Sequence, residues 1–167
     1  MRQMTESNLS AAFAGESQAH MKYLIFAGRA RQEGFPNLAR LFEAISFAEQ
    51  VHATNHLREL GMVKGSGDNL QVAIEGETYE VEEMYPAFHA VAELQGEKGA
   101  QRSITYALEA EQIHAKLYAE AKAAVGEGQD IEAGPIQICE VCGHTVRGEA
   151  PERCPICNAP QSQFRTF

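Results

Sequence analysis

The sequence lacks the features of membrane and nucleic-acid proteins. No apolar run approaches the ~20 residues that a membrane-spanning helix needs, and residues 1–8 contain no apolar signal core. Basic residues are scarce as well, with 14 Lys and Arg against 23 Asp and Glu, for a net charge of −9 at pH 7. This balance argues against a nucleic-acid partner, because phosphate binding needs a basic surface. We therefore predict a cytoplasmic protein with neither a membrane nor a nucleic-acid partner.

The chain also lacks a glycine-rich phosphate-binding loop, so reducing equivalents from NAD(P)H would have to arrive through another protein. Cysteine is limited to two C-x-x-C pairs with eleven residues between them. Four thiolates at this spacing predict a tetrahedral metal site, which suits structural zinc and redox-active iron alike. Two disulfides would be typical of an oxidising compartment, for which the sequence gives no sign. The four cysteines are Cys139, Cys142, Cys154 and Cys157.

The remaining sequence is dominated by helical patterns. Apolar periodicity and turn residues predict four helices at about residues 6–33, 36–61, 69–95 and 97–125, with Pro86 bending or breaking the third. Residues 126–135 are typical of a linker. We predict an all-α four-helix bundle over residues 1–125, that linker, and a small metal-binding module over residues 136–167. The module's core is too small to fold without its metal.

Two of the predicted helices carry the same motif. Glu49 and His52 on the second helix are repeated as Glu111 and His114 on the fourth, each pair within the sequence Ala-Glu-Gln-(Val/Ile)-His-Ala. Residues three apart lie on one face of a helix, so each carboxylate and imidazole can face the same point. A single Glu-x-x-His is usually a solvated pair. Two copies on alternate helices are typical of di-iron carboxylate bundles.

Such a bundle also needs a glutamate from each of the other two helices. The first helix offers Glu16, the only acid in its middle turns, and the third offers Glu77 and Glu80, three residues apart. Burying several carboxylates without cations would cost several kcal/mol for each. The sequence therefore predicts a pair of metal ions, with non-haem iron favoured by the oxygen-rich ligands and two imidazoles, and manganese as the alternative.

The metal-binding residues lie within longer motifs. These are Ala-Phe-Ala-Gly-Glu16-Ser-Gln-Ala with Tyr23, Glu49-x-x-His52, Gly-Glu77-x-x-Glu80 followed by Met-Tyr85-Pro, Glu111-x-x-His114, and the cysteine module. With these motifs the sequence resembles the rubrerythrin family over nearly its whole length. The resemblance implies a ferritin-like bundle followed by a rubredoxin-like domain. It further implies a di-iron centre that reduces hydrogen peroxide to water in oxidative-stress defence, with electrons received at an iron site made of four cysteines.

The resemblance assigns a role to each metal ligand of the bundle. Glu49 and Glu111 are expected to bridge the two irons. Glu16 is expected to bind one iron, and Glu77 with His114 the other. These assignments rest on the family's pattern and on the matching positions of this sequence.

The same resemblance supplies four candidate catalytic residues. Glu80 and His52 are expected to exchange at one iron as its oxidation state changes, because ferric iron favours a carboxylate and ferrous iron accepts an imidazole. Tyr23 and Tyr85 are expected to hold ligand carboxylates through their hydroxyls. Both tyrosines are equally compatible with a role as core aromatics with a polar tip.

The cofactors implied are two non-haem iron ions in the bundle and one iron in the four-cysteine site, where zinc is the alternative in recombinant material. The implied partner is an external electron donor, either a rubredoxin or an NAD(P)H-dependent reductase. Two other functions remain open. The bundle could be a ferroxidase that handles iron with oxygen, although storage needs no electron-transfer module. Alternatively, the cysteine pairs could hold zinc and dock a partner protein.

The sequence departs from the family in its cysteine loop, which is one residue shorter than expected, and in His144, where a tyrosine often follows Cys-Gly.

The connection between the second and third helices is short too. Seven residues, 62–68, must cross about 27 Å, which they reach only near full extension. We therefore predict a domain-swapped homodimer, in which the third and fourth helices pack on the first two of a partner. Electrons would then arrive from another subunit's cysteine module.

Overall fold

The structure, a computed structural model, describes residues 1–167. The chain divides into two compact units, Met1–Lys64 and Gly65–Phe167. These are the N-terminal unit and the C-terminal unit. None of the helices combines the length and the apolar character needed to cross a membrane.

The N-terminal unit is a pair of packed helices, α1 (Gln3–Gln32) and α2 (Pro36–Glu59). Gly34 ends the first helix with a φ of 83°, a conformation that glycine adopts without strain. The Phe35 amide then donates to the Ala30 carbonyl at 2.8 Å. Pro36 occupies the first turn of α2, where its missing N–H leaves no helical bond unmade.

Small residues bring the two helices close together. Ala27, Ala30 and Ala39 are at most 3% exposed and form the core of the pair. Further along, the fully buried Ser46 hydroxyl donates to the His20 carbonyl at 2.9 Å, and Nδ1 of His20 lies 2.9 Å from the Ser46 carbonyl oxygen. This reciprocal pair fixes the register of α1 against α2.

The large apolar residues of these helices are not buried by this core. Ile25, Leu41 and Phe47 are between 57% and 64% exposed. In the C-terminal unit, Phe88 and Val91 are each 52% exposed. Exposed apolar surface on this scale is unusual for a monomer and is typical of surfaces that another chain covers.

The C-terminal unit begins with three helices, α3 (Ser66–Tyr79), α4 (Tyr85–Leu94) and α5 (Lys98–Gly126). Both α3 and α4 pack on α5. A π-helical turn, Glu80–Met84, joins α3 to α4, and the Tyr85 amide bonds to the Glu80 carbonyl five residues back. The widened turn accommodates Pro86, which has no N–H for the helix ladder. The sequence predicted that Pro86 bends or breaks this helix. The structure shows instead a continuous helix that widens into the π-helical turn just before Pro86.

The last part of the C-terminal unit is a three-stranded antiparallel sheet with the order β2-β1-β3. Its strands are β1 (Ile136–Cys139), β2 (Thr145–Arg147) and β3 (Phe164–Thr166). Arg147 on β2 binds Glu120 on α5 at 2.8 Å, so the sheet is tied to a helix of its own chain.

Replacing Ser46 by Ala should lower the free energy of unfolding by about 1–2 kcal/mol, because the His20 carbonyl loses its hydroxyl donor in a buried site. Urea unfolding followed by circular dichroism measures the change. Ser17→Ala is the matched control, since the Ser17 hydroxyl bonds only within its own helix, to the Phe13 carbonyl. Equal effects of the two substitutions would contradict the role of Ser46 in helix packing.

Candidate metal centres

The four cysteines lie together as free thiols, with Cys139, Cys142 and Cys154 buried. Their sulfur atoms all lie within 4.8 Å of one another. The sulfurs of Cys139 and Cys157 are 3.6 Å apart, and those of Cys142 and Cys154 are 3.4 Å apart. A tetrahedral site with metal–sulfur bonds of about 2.3 Å places its sulfurs about 3.8 Å apart. The arrangement therefore fits one tetrahedral metal ion better than two disulfides.

Burial and backbone donors act in opposite directions on these thiols. Burial raises the pKa of Cys142, although the His144 amide donates to its sulfur. Burial also acts to raise the pKa of Cys154, but the amides of Cys157 and Ile156 and the Cys142 thiol outweigh it, and that pKa is lowered. The amide of His144 follows the first cysteine pair, and those of Ile156 and Cys157 lie within the second. Such donors are what a thiolate–metal site needs, because they stabilise negative charge on sulfur.

The N-terminal unit assembles one group of three metal-binding side chains. Nδ1 of His52 lies 2.9 Å from a carboxylate oxygen of Glu49 on the preceding turn and 3.9 Å from one of Glu16 on α1. One atom from each residue falls within a 4.8 Å cluster. The His52 side chain is 53% exposed, so this group is open on one side.

The C-terminal unit assembles a second group with the same design. Nδ1 of His114 lies 2.5 Å from a carboxylate oxygen of Glu111, and Glu77 on α3 completes a cluster within 4.8 Å. Burial, a hydrogen bond with Glu111 and repulsion from Glu111 raise the pKa of Glu77 from its ordinary 4.5 to about 7. The carboxylates of Glu77 and Glu111 therefore repel each other at short range, and a cation bound between them would relieve this repulsion.

Two further predicted residues adjoin this second group. Glu80 lies on the π-helical turn, and burial together with the Glu111 charge raises its pKa. It is not among the three residues of the closest cluster. Burial and the charges of Glu80, Glu111 and Glu77 raise the pKa of Tyr85, so its hydroxyl remains protonated at neutral pH.

Tyr23, the other predicted tyrosine, belongs to an aromatic cluster of the N-terminal unit. Its ring centroid lies 6.3 Å from that of Phe26 and 6.1 Å from that of Phe42. These contacts agree with the core-aromatic interpretation of Tyr23. Its proposed contact with a ligand carboxylate stays a prediction.

The donor sets fit the metals that the sequence predicts. Each helical group offers two carboxylates and one imidazole, a combination that suits iron or manganese, and the cysteine group offers four sulfurs. Comparison with protein families agrees. The family model "Rubrerythrin" matches residues 7–122, and the model "Rubrerythrin, rubredoxin-like domain" matches residues 137–165.

The chain belongs to the rubrerythrin family. Among similar proteins is Rubrerythrin-2 of Clostridium acetobutylicum, which is 44% identical over 98% of this chain and 97% of its own length. Nigerythrin of Nitratidesulfovibrio vulgaris is 38% identical over 98% of this chain and 86% of its own length. The family resemblance inferred from the motifs is thereby confirmed.

Solved structures of nigerythrin are similar to this chain as well. Its mixed-valence state matches with a TM-score of 0.57 at 35% identity, and its fully reduced, all-ferrous state with 0.58 at 34%. Each match covers 98% of this chain and 86% of the nigerythrin chain. The predicted fold class is confirmed: the chain is a ferritin-like helical domain followed by a small rubredoxin-like domain with four cysteines.

One polar contact of the site was not predicted from the sequence. Nε2 of His114 lies 2.7 Å from the hydroxyl of Thr145, which is only 5% exposed. The two residues are 31 positions apart, and a threonine after Cys-Gly-His carries no recognisable motif. The contact also places the cysteine module against α5 of its own chain. From the sequence, electrons were expected to come from another subunit's module, and this contact within one chain was not predicted.

Replacing Glu77 by Gln should stabilise the metal-free chain at about pH 8 by about 1 kcal/mol or more. The folded chain holds the Glu77 proton more tightly than the unfolded chain, since the folded pKa is about 7 and the ordinary value is 4.5. The free-energy cost of ionising Glu77 in the folded chain is absent below the ordinary pKa of 4.5, grows as the pH rises between 4.5 and about 7, and is complete above about 7. The stabilising effect should therefore shrink towards about pH 5.

Urea unfolding of the metal-stripped protein at both pH values measures this difference. Glu75→Gln is the control, because Glu75 is an exposed residue of the same helix. A stabilisation that is the same at both pH values would show that the Glu77 charge is not its cause.

Proposed function

We propose that this rubrerythrin is a peroxidase that reduces hydrogen peroxide to water at a di-iron centre in the helical domain. The observation that carries the proposal is the duplication of one donor group, Glu49 with His52 and Glu111 with His114, in a chain that also holds a four-cysteine site. The balanced reaction consumes two electrons and two protons for each hydrogen peroxide molecule and yields two water molecules. Two adjacent irons would supply both electrons, and this avoids release of a one-electron product.

The proposed ligands divide by helix. Glu16, Glu49 and His52 would come from α1 and α2, and Glu77, Glu111 and His114 from α3 and α5. Following the family pattern, Glu49 and Glu111 would each bridge the two ions. Glu80 is proposed to exchange with His52, and its place on a π-helical turn supports this, since such turns are less tightly packed and frequent at functional sites.

Protons are the second requirement of the reaction. Tyr85 faces Glu77, Glu80 and Glu111, and the raised pKa keeps its hydroxyl available as a hydrogen-bond donor. Burial and the neighbouring Glu111 raise the pKa of Glu77 to about 7, so this carboxyl exchanges its proton near neutral pH. We propose that these groups hold and pass protons, with Tyr23 holding a ligand carboxylate in the N-terminal unit.

Electrons would enter through an iron ion in the four-cysteine site, from a rubredoxin or an NAD(P)H-dependent reductase. This module is the observation that favours a peroxidase over a ferroxidase, because iron storage needs no reducing input. The free state of all four thiols suits a reducing compartment, and we propose the cytoplasm. The proposed boundaries are residues 1–125 for the bundle, 126–135 for the linker and 136–167 for the module.

Glu111→Ala should remove a bridging ligand and lower the rate of peroxide reduction by about 100-fold or more, with loss of iron from the bundle. Anaerobic assays with a reductase and rubredoxin as donor, together with iron analysis, measure both effects. Glu109→Ala is the matched control, since Glu109 is exposed two residues away on the same helix. A Glu111→Ala protein that keeps both its iron and its rate would refute the proposed centre.

We further propose that the complete centre forms in a domain-swapped homodimer. Each unit holds half of the donor groups, and each leaves large apolar residues exposed, such as Phe47 and Phe88. In addition, the connection between α2 and α3 is short for a crossover within one bundle. Joining α1 and α2 of one chain with α3 to α5 of another would complete both the donor set and the core.

Mixing two inactive proteins tests the swap. Glu49→Ala disables the donor group of the N-terminal unit, and Glu111→Ala that of the C-terminal unit. After the two proteins are unfolded, mixed and refolded with iron, a swapped dimer should regain about a quarter of the wild-type activity, because half of the dimers are mixed and one of their two centres is intact. No recovery in the mixed dimers would contradict the swap, and size-exclusion chromatography with light scattering measures the dimer itself.

A further inference from the structure

Both ring nitrogens of His114 are occupied in this structure. Nδ1 faces Glu111 at 2.5 Å, and Nε2 lies 2.7 Å from the Thr145 hydroxyl oxygen. The equivalent histidine of the N-terminal unit, His52, uses the same Nδ1 atom towards Glu49. Both histidines thus turn Nδ1 towards the carboxylates, which leaves Nε2 for an outer partner.

The Thr145 hydroxyl bears on which nitrogen of His114 carries a proton. A hydroxyl has one proton, and the Gly143 carbonyl oxygen lies 3.1 Å from the Thr145 hydroxyl oxygen, in position to accept that proton. When the proton is donated to Gly143, the same hydroxyl oxygen accepts from Nε2–H of His114 at 2.7 Å. Metal binding at Nδ1 needs this tautomer, because it leaves the Nδ1 lone pair free.

The surroundings hold Thr145 rigidly in place. It is 5% exposed, opens β2 and pairs with Ile138 of β1. Gly143, in the turn after Cys142, faces Ala110 of α5, and a Cβ added to the glycine would lie 3.8 Å from the alanine Cβ, at ordinary van der Waals distance. Ala110 is one turn before His114, so the same helix face carries both the contact and the ligand.

The neighbourhood is also apolar. A cavity of about 340 Å³ borders His114 and Thr145 and is lined largely by aliphatic side chains, among them Leu70, Leu117 and Ile138. A hydrogen bond at the edge of such surroundings is stronger than one in water, and a missing partner is more costly there. The His114–Thr145 contact therefore has the features of a specific positioning bond.

We propose that Thr145 is a positioning residue for His114, which fixes the Nε2–H tautomer and couples the ligand group on α5 to the turn that follows Cys142. This inference rests on the proposed function in so far as His114 binds a metal. It adds a link between the two kinds of metal centre within one chain, through His114, Thr145 and the backbone of Gly143.

Three substitutions separate the hydroxyl from the shape of the side chain. Thr145→Val keeps the shape and removes the hydroxyl, whereas Thr145→Ser keeps the hydroxyl. Thr166→Val is the control, since the Thr166 hydroxyl bonds to the Gln137 side chain in an exposed part of the same sheet. With one equivalent of zinc, held by the four cysteines, the full chain is diamagnetic and the helical donor groups hold no metal, so nitrogen NMR of labelled histidine reports the tautomer that Thr145 sets at His114.

In the wild type we expect a protonated Nε2 whose proton exchanges slowly with solvent. Thr145→Val should speed this exchange by about 10-fold and weaken Fe²⁺ binding in the bundle by about 10-fold. Thr145→Ser and Thr166→Val should remain close to the wild type in both measurements. An unprotonated Nε2 in the wild type would overturn the proposal without any variant, and so would unchanged exchange and iron affinity in Thr145→Val.

The two proposals fail in different ways. If the wild type does not reduce peroxide but shows the expected tautomer and the expected loss in Thr145→Val, the proposed function falls and the positioning role stands. If peroxide reduction is found and Thr145→Val matches the wild type in proton exchange and iron affinity, only the positioning role falls.

Discussion

The crowding of partly buried carboxylates is the constraint on which the rest of this structure depends. Burial, followed by the closeness of Glu111, raises the pKa of Glu77 to about 7, and the pKa values of Glu80 and Tyr85 are raised as well. A helical protein gains no stability from such an arrangement by itself. A bound cation reverses the balance, because the same carboxylates then become ligands. The family to which the chain belongs and the two imidazoles in the clusters indicate that this cation is iron.

Each kind of metal centre depends on a different part of the backbone. The helical donor groups use the helix repeat, since a glutamate and a histidine three residues apart place their donor atoms together. The cysteine centre uses tight turns, whose amides face the sulfurs. Helix α5 serves both, because Ala110 faces Gly143 of the cysteine turn and His114, one turn later, belongs to the helical donor group. A single rigid element can therefore set the distance between the two centres.

The sequence was most informative where the chemistry is local. The Glu-x-x-His repeats and the cysteine pairs predicted one di-iron centre and one four-cysteine site, and the structure brings each of these pairs together, because one turn of backbone is enough to do so. Pro86 predicted an interruption of the third helix, but its π-helical form depends on how the helix is held at both ends. Thr145 could not have been predicted, since its contact with His114 joins residues 31 positions apart through the packing of a sheet on a helix. Likewise, the burial of Ser46 depends on the closeness of two helices.

The most direct test of the central claim is the oxidation of the fully reduced, iron-loaded protein. Rapid mixing with hydrogen peroxide or with dissolved oxygen, followed in visible light, reports the return of ferric–thiolate colour at the four-cysteine site. A peroxidase with coupled centres predicts that peroxide restores the colour faster than oxygen by about 10-fold or more, and that zinc in place of the bundle iron abolishes the peroxide effect. Faster oxidation by oxygen, or the same peroxide rate with zinc in the bundle, would contradict it.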